Sequence, residues 1–315
     1  MDTPVAFLIF NRPDSNRKVF EAIRRAQPKQ LLVVADGART DRPGEAELCL
    51  ATRAIIEEID WDCEVLHNYS AVNLGCGLRQ ATGISWVFEQ VEEAIILEDD
   101  CLPHPSFFPF CEALLQTYRN DERVMHIAGT NFQFGRQTLP HSYYFSRYAH
   151  CWGWASWRRA WQHFDFSMKH WPTLRSQDWL TNYLKSHHAA AFWERTFDGV
   201  YRQDKVHIWS YQWMFACWSQ NGLTILPDVN LISNIGFHPG ATHTNTTSDR
   251  SPFANMKVAE ARLPLKHPPY LVRDAQADML TQNTYYDLAL HIRLIWKLRR
   301  TLGVKPVWAQ QTTSY

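Results

Sequence analysis

The chain lacks the features that mark membrane-spanning and disulfide-bonded proteins. No stretch of 18 consecutive apolar residues occurs in its 315 residues, so we expect no membrane-spanning segment. Its first residues lack a basic region ahead of an apolar core and do not form a secretory signal. The seven cysteines include no Cys-x-x-Cys pair, which indicates reduced thiols rather than a disulfide framework or a zinc site. These absences favour a cytoplasmic protein.

The sequence also lacks an excess of one charge. Lysine plus arginine and aspartate plus glutamate number 32 each, so no net field attracts nucleic acid or an anionic membrane. Internal repeats and low-complexity tracts are absent as well. Aromatic residues are plentiful, with 14 tryptophans. Such rings often line sugar sites because the apolar face of a pyranose packs on an aromatic plane, although most of them must belong to the core.

The first 130 residues alternate between short apolar strands and helical patterns. The patterns predict strands at 5–10, 31–35, 63–67, 94–97 and 124–128, and helices at roughly 15–26, 44–59, 78–90 and 106–119. This order predicts an α/β fold with a mostly parallel central sheet flanked by helices.

The rest of the chain is richer in aromatic residues and less regular. We predict a single domain over residues 1–250, with a nucleotide half at 1–130 and an acceptor half at 131–250. Residues 251–315 are predicted to form a proline-rich strap that ends in a basic amphipathic helix near 284–302. Such a helix could contact the inner face of a membrane, although docking on its own domain is more common.

Polar side chains follow each of the first four predicted strands. In chain order they are Asn11 and Arg12, then Asp36, then Asn73, Gly75 and Arg79, and finally Glu98, Asp99 and Asp100. Because parallel strands end at the same edge of a sheet, we expect these groups at one rim, where ligands bind in open α/β folds.

Together these groups suit a nucleoside diphosphate. Arg12, Arg79 and the backbone N–H groups of the glycine turn can face an anion. Asp36 can accept from a base N–H or a ribose hydroxyl. The three acids offer the hard oxygen ligands that Mg²⁺ or Mn²⁺ prefers. Each feature can also be explained without a ligand. The three acids could form a solvated turn, Asp36 could form an Asx turn, and the arginines could be ordinary surface charges.

The order of these motifs resembles that of GT-A-fold nucleotide-sugar glycosyltransferases. The nearest patterns are family-2-type bacterial enzymes and the N-acetylglucosaminyltransferase I type, which also carries a Glu-Asp-Asp motif. The similarity includes Asn11-Arg12-Pro13, Asp36-Gly37, Asn73-Leu74-Gly75, Ile96-Leu97-Glu98-Asp99-Asp100, Trp152-Gly153-Trp154, Trp209-Ser210-Tyr211-Gln212-Trp213 and Thr242-His243.

The resemblance implies metal-dependent, inverting transfer of a sugar from a nucleotide-diphosphate sugar, with a UDP-sugar as the expected donor. The acceptor would be a glycan, a glycolipid or a protein, as in the building of a surface polysaccharide. By position, Asp36 would contact the nucleobase, Arg12 and Arg79 the phosphates, and Glu98 and Asp99 the ribose and donor sugar. Asn11, Asn73 and Gly75 complete this donor set. Asp100 and His243 would bind the metal, and Trp152, Trp154 and Trp209 would face the acceptor.

One departure from the family concerns the catalytic base. The relatives usually carry an aspartate directly after the first tryptophan of the Trp-x-x-x-Trp segment, and Ser210 stands there in this chain. A serine hydroxyl cannot act as a base near neutral pH. Either another acid substitutes, with Asp204 nearest in sequence, or the protein binds nucleotide sugars or glycans without catalysis.

Two other enzyme classes share parts of this pattern. An aspartate-based phosphohydrolase needs a second acid two residues after Asp36, where Ala38 stands. A nucleotidyltransferase usually carries a glycine-rich basic loop after the first strand, and Asn11-Arg12-Pro13 is no such loop.

Overall fold

The computed structural model describes residues 1–135, 140–202, 208–237 and 253–286. Its strands are β1 (Val5–Ile9), β2 (Gln30–Ala35), β3 (Glu64–Tyr69), β4 (Glu93–Glu98), β5 (Cys101–Pro103), β6 (Val124–Ala128), β7 (Tyr143–Ser146), β8 (Trp154–Trp157), β9 (Leu223–Pro227) and β10 (Ile232–Asn234).

α-Helices are interspersed with these strands along the chain. They are α1 (Pro13–Ala26), α2 (Glu45–Ala54), α3 (Cys76–Gln90), α4 (Phe107–Thr117), α5 (Arg158–Trp161), α6 (Trp171–Arg175), α7 (Trp179–Leu184), α8 (His187–Tyr201), α9 (Ser210–Ser219) and α10 (Ala275–Thr281). A 3₁₀ turn (Ile55–Glu58) extends α2, and a π-helix (Gln282–Tyr286) extends α10.

Eight of the strands form one mixed sheet in the order β3-β2-β1-β4-β8-β6-β9-β7. The first four are parallel to one another, whereas β8 runs antiparallel to both β4 and β6. Strands β5 and β10 pair separately as a small antiparallel sheet. The predicted α/β class, with a central sheet flanked by helices, is confirmed, and the arrangement is consistent with a GT-A fold.

Alternation along the strands explains why helices cover both faces of the sheet. In β1, Val5 and Phe7 pack in one core cluster with the apolar side of α1, whereas Ala6 and Leu8 pack in another with α3. Successive side chains of a strand point to opposite faces, so a strand with helices on both sides must be apolar throughout. All five residues of β1 are accordingly buried.

The five strands predicted from the sequence are present as β1, β2, β3, β4 and β6, whereas β7 to β10 and the short β5 were not predicted. Strand β8 is only four residues long and buried throughout, so it carries no alternation by which a half-buried strand is recognised. Its insertion between β4 and β6 joins the predicted nucleotide and acceptor halves in one sheet.

Most of the tryptophans serve the core. Trp154, predicted to face the acceptor, is fully buried and stacks on His126 with ring centroids 4.9 Å apart. It belongs to the cluster that fills the space between α3 and the helices of residues 158–219. The prediction for Trp154 is therefore corrected: its ring is enclosed in the core, where it packs against Trp161, Trp209 and Trp213.

The described part of the strap packs along β7 and then enters α10. Asp278 in α10 is buried, accepts from Ser146 Oγ at 2.5 Å and pairs with the Arg147 and Arg273 guanidinium groups at 3.2 and 2.5 Å. Gln282 accepts from Tyr148 and Trp193, each at 2.8 Å. These bonds attach the segment firmly to the second half of the domain. The basic helix predicted near 284–302 lies almost entirely outside the described residues.

All seven cysteines are free thiols, in agreement with the sequence-based prediction. Among the helices of the described residues, none is long and apolar enough to cross a membrane.

We expect Asp278→Asn to lower the free energy of unfolding by about 3 kcal/mol or more, because it leaves buried arginine charge without its partner. Asp60→Asn is the matched control, since Asp60 pairs with Arg24 at the surface and such pairs contribute about 1 kcal/mol or less. Urea unfolding of both variants checks this. Equal, small losses would show that Asp278 does not hold α10.

Candidate functional site

A cleft of about 1140 Å³ opens at the carboxyl ends of β1, β2 and β4. Twelve of the residues singled out in the sequence line it: Asn11, Arg12, Asp36, Asn73, Gly75, Arg79, Glu98, Asp99, Asp100, Trp152, Trp209 and Ser210. The parallel order of the first four strands brings the donor-side residues together, as expected for strands that end at one edge. Asp204 and His243 lie outside the described residues.

The acids at the end of β4 sit in a poorly solvated position. Asp99 and Asp100 are buried, and Glu98 is partly buried. Burial, together with repulsion from Asp100, raises the pKa of Glu98 to about 8 and that of Asp99 to about 7. Gln80 donates to Glu98 at 3.0 Å and Phe10 N donates to Asp99 at 3.1 Å, which opposes these shifts.

Arg12 supplies the positive charge beside these acids. Its Nη1 lies 2.6 Å from Asp100 Oδ2 and 3.6 Å from Asp99 Oδ1. Arg12 is the last residue before α1, in the short loop after β1, and its guanidinium reaches the end of the neighbouring strand β4. The side chain predicted to contact phosphate therefore holds the acidic motif in this structure.

Asp36 has its carboxylate fully engaged. It accepts from the backbone N–H groups of Gly37 (3.0 Å), Leu74 (2.9 Å) and Gly75 (3.0 Å), and from Asn73 Nδ2 (3.1 Å). These donors use the lone pairs that would otherwise read a nucleobase. Asp36 thus fastens the glycine turn before α3 to the end of β2, and its direct contact with a base stays a prediction.

Arg79 borders the cleft but is buried, and its guanidinium is bonded to the ends of β2 and β3. Its Nε donates to Ala35 O at 3.1 Å and its Nη2 to Asn68 Oδ1 at 2.7 Å, and burial lowers its pKa. It ties together the ends of β2 and β3.

A more exposed cation lines the cleft at Arg39, which the sequence analysis did not select. Glu45 holds it with an Nε–Oε2 distance of 2.9 Å and also accepts from Asn11 at 2.9 Å. Arg39 lies in the loop after β2 with no motif around it, and its guanidinium is positioned by Glu45 and by the Phe10 ring, whose centroid lies 5.7 Å away.

The donor atoms suit a divalent cation that is shared with a ligand. Within the described residues, no group of three or more His, Cys, Asp or Glu side chains is arranged to hold a metal ion by itself. Mg²⁺ is usually bound by one or two carboxylates plus substrate phosphates, and Asp99 and Asp100 offer such oxygens. Among the described residues, Arg12 is the cation that pairs with Asp99 and Asp100, and the remaining oxygens of these carboxylates are ligands that fit an added cation.

Gly236 brings the chain after β10 against this motif. Ile235 N donates to Asp100 O at 2.8 Å, and a Cβ added at Gly236 would collide with the Asp100 carboxylate. Only glycine permits this approach.

An aromatic wall lines part of the cleft. We use this name for Phe132, Trp152, Phe237, Phe253 and Tyr285, whose rings contact one another at centroid distances of 4.5 to 6.4 Å. Only Trp152 was selected from the sequence. The other rings come from separate loops and from the π-helix, so no local pattern links them. Trp209 and Ser210 lie at the start of α9 on the same cleft.

We expect Glu98→Gln to flatten the pH dependence of stability. The unfolded chain releases the Glu98 proton near pH 4.5 and the folded chain only near pH 8, so the wild type loses unfolding free energy as pH rises between these values. The substitution should reduce the pH slope of the unfolding free energy by at most about 1.4 kcal/mol per pH unit. Thermal unfolding from pH 5 to 8 without divalent cations checks this. Glu57→Gln, at an exposed site, is the control. Parallel curves for wild type and Glu98→Gln would contradict the raised pKa.

No protein-family model matches the chain, and no characterised protein matches it in sequence. Among solved structures it is similar to a UDP-glucose pyrophosphorylase complexed with UDP-glucose, at 12% identity over 52% of this chain and 79% of the other, with a TM-score of 0.31. A cytidylyltransferase from Leptospira borgpetersenii gives 10% identity, 52% and 64% coverage, and a TM-score of 0.31. Mouse xyloside xylosyltransferase 1 gives 12% identity, 68% and 81% coverage, and a TM-score of 0.32. Similarity at this level carries no argument about function.

Proposed function

We propose that the protein is a glycosyltransferase that moves a sugar from a nucleotide-diphosphate sugar to an acceptor hydroxyl. The observation that carries this proposal is the cleft itself, which is lined by the three acids at the end of β4 and by the aromatic wall. The acids suit a metal-bound diphosphate, and the rings suit the apolar face of a sugar. A UDP-sugar as donor and inversion of the anomeric centre follow from the sequence resemblance alone.

On the donor side, Asp100 with Asp99 would hold Mn²⁺ or Mg²⁺ together with the diphosphate. When bound there, such a cation would neutralise charge on the departing diphosphate. Arg12, freed from Asp100, could then pair with a phosphate oxygen, because its guanidinium already lies beside the acids. Asp36 acts indirectly in this proposal by holding the glycine turn, whose backbone precedes the N-terminus of α3.

On the acceptor side, Trp152 and Trp209 border the space in which an acceptor would lie. Ser210 is the first residue of α9 and its hydroxyl can hydrogen-bond an acceptor hydroxyl. It cannot take the proton near neutral pH, so an acid elsewhere, with Asp204 the candidate from the sequence, would serve as base.

Two alternatives can be weighed against the structure. A protein that binds nucleotide sugars or glycans without turnover is favoured by Ser210 at the position of the expected base. A nucleotidyltransferase is disfavoured, because α1 begins at Pro13, a few residues after β1 ends, and leaves no room for a glycine-rich phosphate loop there.

We expect Asp100→Asn to abolish Mn²⁺-dependent nucleotide binding while the fold is kept. In a thermal-shift screen of UDP, GDP, CDP and dTDP, ligand at 100 times its Kd stabilises the wild type by about 2.7 kcal/mol, and this gain should vanish in the variant. Asp62→Asn, an exposed acid away from the cleft, is the control. An unchanged Mn²⁺-dependent shift in Asp100→Asn would show that Asp100 is not the metal ligand.

Donor hydrolysis measured beside the thermal shift separates the enzyme from the binding protein. If nucleotide binds but the wild type shows no hydrolysis or transfer, we expect Ser210→Asp to introduce measurable hydrolysis, because it supplies the carboxylate found in the relatives. General-base assistance contributes roughly 10² to 10⁴ in rate. Turnover by the wild type at a rate that Ser210→Asp does not raise would show that another residue is the base.

A further inference from the structure

Arg39 differs in accessibility from the other two arginines that line the cleft. Arg12 is paired with the acids at the end of β4, and Arg79 is buried with its guanidinium bonded to the ends of β2 and β3. Arg39 lines the same cleft, but 42% of its side chain is exposed. A ligand in the cleft can therefore contact this guanidinium directly.

Glu45 holds one edge of the Arg39 guanidinium and leaves the rest of it available. Arg39 Nε donates to Glu45 Oε2 at 2.9 Å, Nη2 donates to Oε1, and the Arg39 backbone N–H donates to Oε2 at 2.8 Å. Nη1 makes no hydrogen bond to any of the described residues. Since a guanidinium has donors and no acceptor, the cleft gains two N–H groups here in an orientation that Glu45 fixes.

The charge balance of this pair indicates which acceptor suits the available donors. Glu45 is buried, and its hydrogen bonds from Arg39 hold the pKa of the carboxyl below its usual value. Both groups are therefore ionised at neutral pH, and the pair has no net charge. A phosphate at Nη1 would bring its negative charge close to the Glu45 carboxylate, whereas a neutral carbonyl oxygen would not. The donors therefore suit a carbonyl oxygen better than an anion.

The position of Arg39 along the sheet edge indicates which part of a nucleotide it meets. Strand β1 lies between β2 and β4, so the ends of β2 and β4 are two strand spacings, or about 10 Å, apart. Phe10 connects the two places, because its backbone N–H donates to Asp99 at 3.1 Å and its ring centroid lies 5.7 Å from Arg39 Cζ. A nucleotide with its diphosphate at the acids can extend along this edge and bring its base to Arg39. The half-buried Phe10 ring also lines the cleft and offers the base an apolar surface.

We propose that Arg39 donates through Nη1 to a carbonyl oxygen of the nucleobase and thereby determines which nucleotide the protein accepts. The inference rests on the proposed function, since it concerns the base of the nucleotide-sugar donor. Uracil and guanine carry a carbonyl oxygen where cytosine and adenine carry an amino group. An amino group at this place would meet only donors, because both Glu45 oxygens already accept hydrogen bonds. A site with donors left unpaired discriminates against such a ligand.

Calorimetric titration of the full chain with nucleoside diphosphates in the presence of Mn²⁺ tests this proposal. The matched pairs are UDP with CDP and GDP with ADP, which exchange the carbonyl oxygen for an amino group. We expect wild type to bind the carbonyl member of at least one pair about fivefold or more tightly. Arg39→Gln should bring that ratio close to one, since a glutamine amide can pair with either group. Arg17→Gln, which breaks an exposed arginine–glutamate pair away from the cleft, should keep the ratio of wild type.

Titration with inorganic pyrophosphate separates recognition of the base from recognition of phosphate. We expect Arg39→Gln to bind pyrophosphate as wild type does. Equal losses of affinity for pyrophosphate and for all four nucleotides would mean that Arg39 contacts phosphate, and they would overturn the proposal. If Arg39→Gln does not fold, Arg39→Lys takes its place. It keeps the charge beside Glu45, but an ammonium paired with Glu45 leaves no fixed second nitrogen in the cleft, so the ratio should fall here too.

The pattern of binding distinguishes failure of this proposal from failure of the proposed function. A wild type that binds all four nucleotides equally well, or a base preference that Arg39→Gln retains, contradicts the role of Arg39 and leaves the transferase intact. Absence of binding by any nucleotide contradicts both. A base preference that depends on Arg39, without hydrolysis or transfer of any sugar, supports the role of Arg39 and contradicts the transferase.

Discussion

The burial of negative charge at the end of β4 is the constraint on which the arrangement of the cleft depends. Three consecutive carboxylates lie where solvent is scarce, and among the described residues Arg12 is the cation that pairs with two of them. That pairing joins the residues after β1 to the residues after β4. Ile235 N bonds to the Asp100 carbonyl oxygen, and Gly236 packs against the Asp100 side chain. Burial, together with repulsion from Asp100, raises the pKa of Glu98 and of Asp99, so negative charge at this edge of the sheet costs free energy.

Asp36 shows by contrast how an acid at the same edge can serve the fold instead of a ligand. Three backbone N–H groups and one amide satisfy its carboxylate, and no lone pair is left over for a further strong bond. Asp99 and Asp100 are of the same residue type at the same edge, but each accepts fewer hydrogen bonds from the described residues than Asp36 does. Sites of this kind are recognised by unmet bonding capacity more than by residue identity.

The sequence predicted the first half of the fold well because its signals are local. Apolar runs such as Leu31–Ala35, and the polar residues that follow them, fix strands and their ends without knowledge of the rest of the chain. The second half was harder, since β7, β8 and β10 are too short for periodicity and are recognised only through their sheet partners. In the same way the donor-side residues could be predicted from the strand ends, whereas Phe132, His150 and Tyr285 meet only through tertiary packing. The roles assigned to Arg79 and Asp36 depended on where their bonds go, which sequence does not reveal.

The attachment of α10 through Asp278 has a thermodynamic consequence for the aromatic wall. Tyr285 belongs to the π-helix that continues α10, so its ring is in place only while α10 is docked on β7. Any ligand that gains free energy from this ring therefore favours the docked state, and its apparent Kd equals the intrinsic Kd divided by the docked fraction. The buried Asp278 carboxylate, which is not among the residues that line the cleft, thus influences affinity there without touching the ligand.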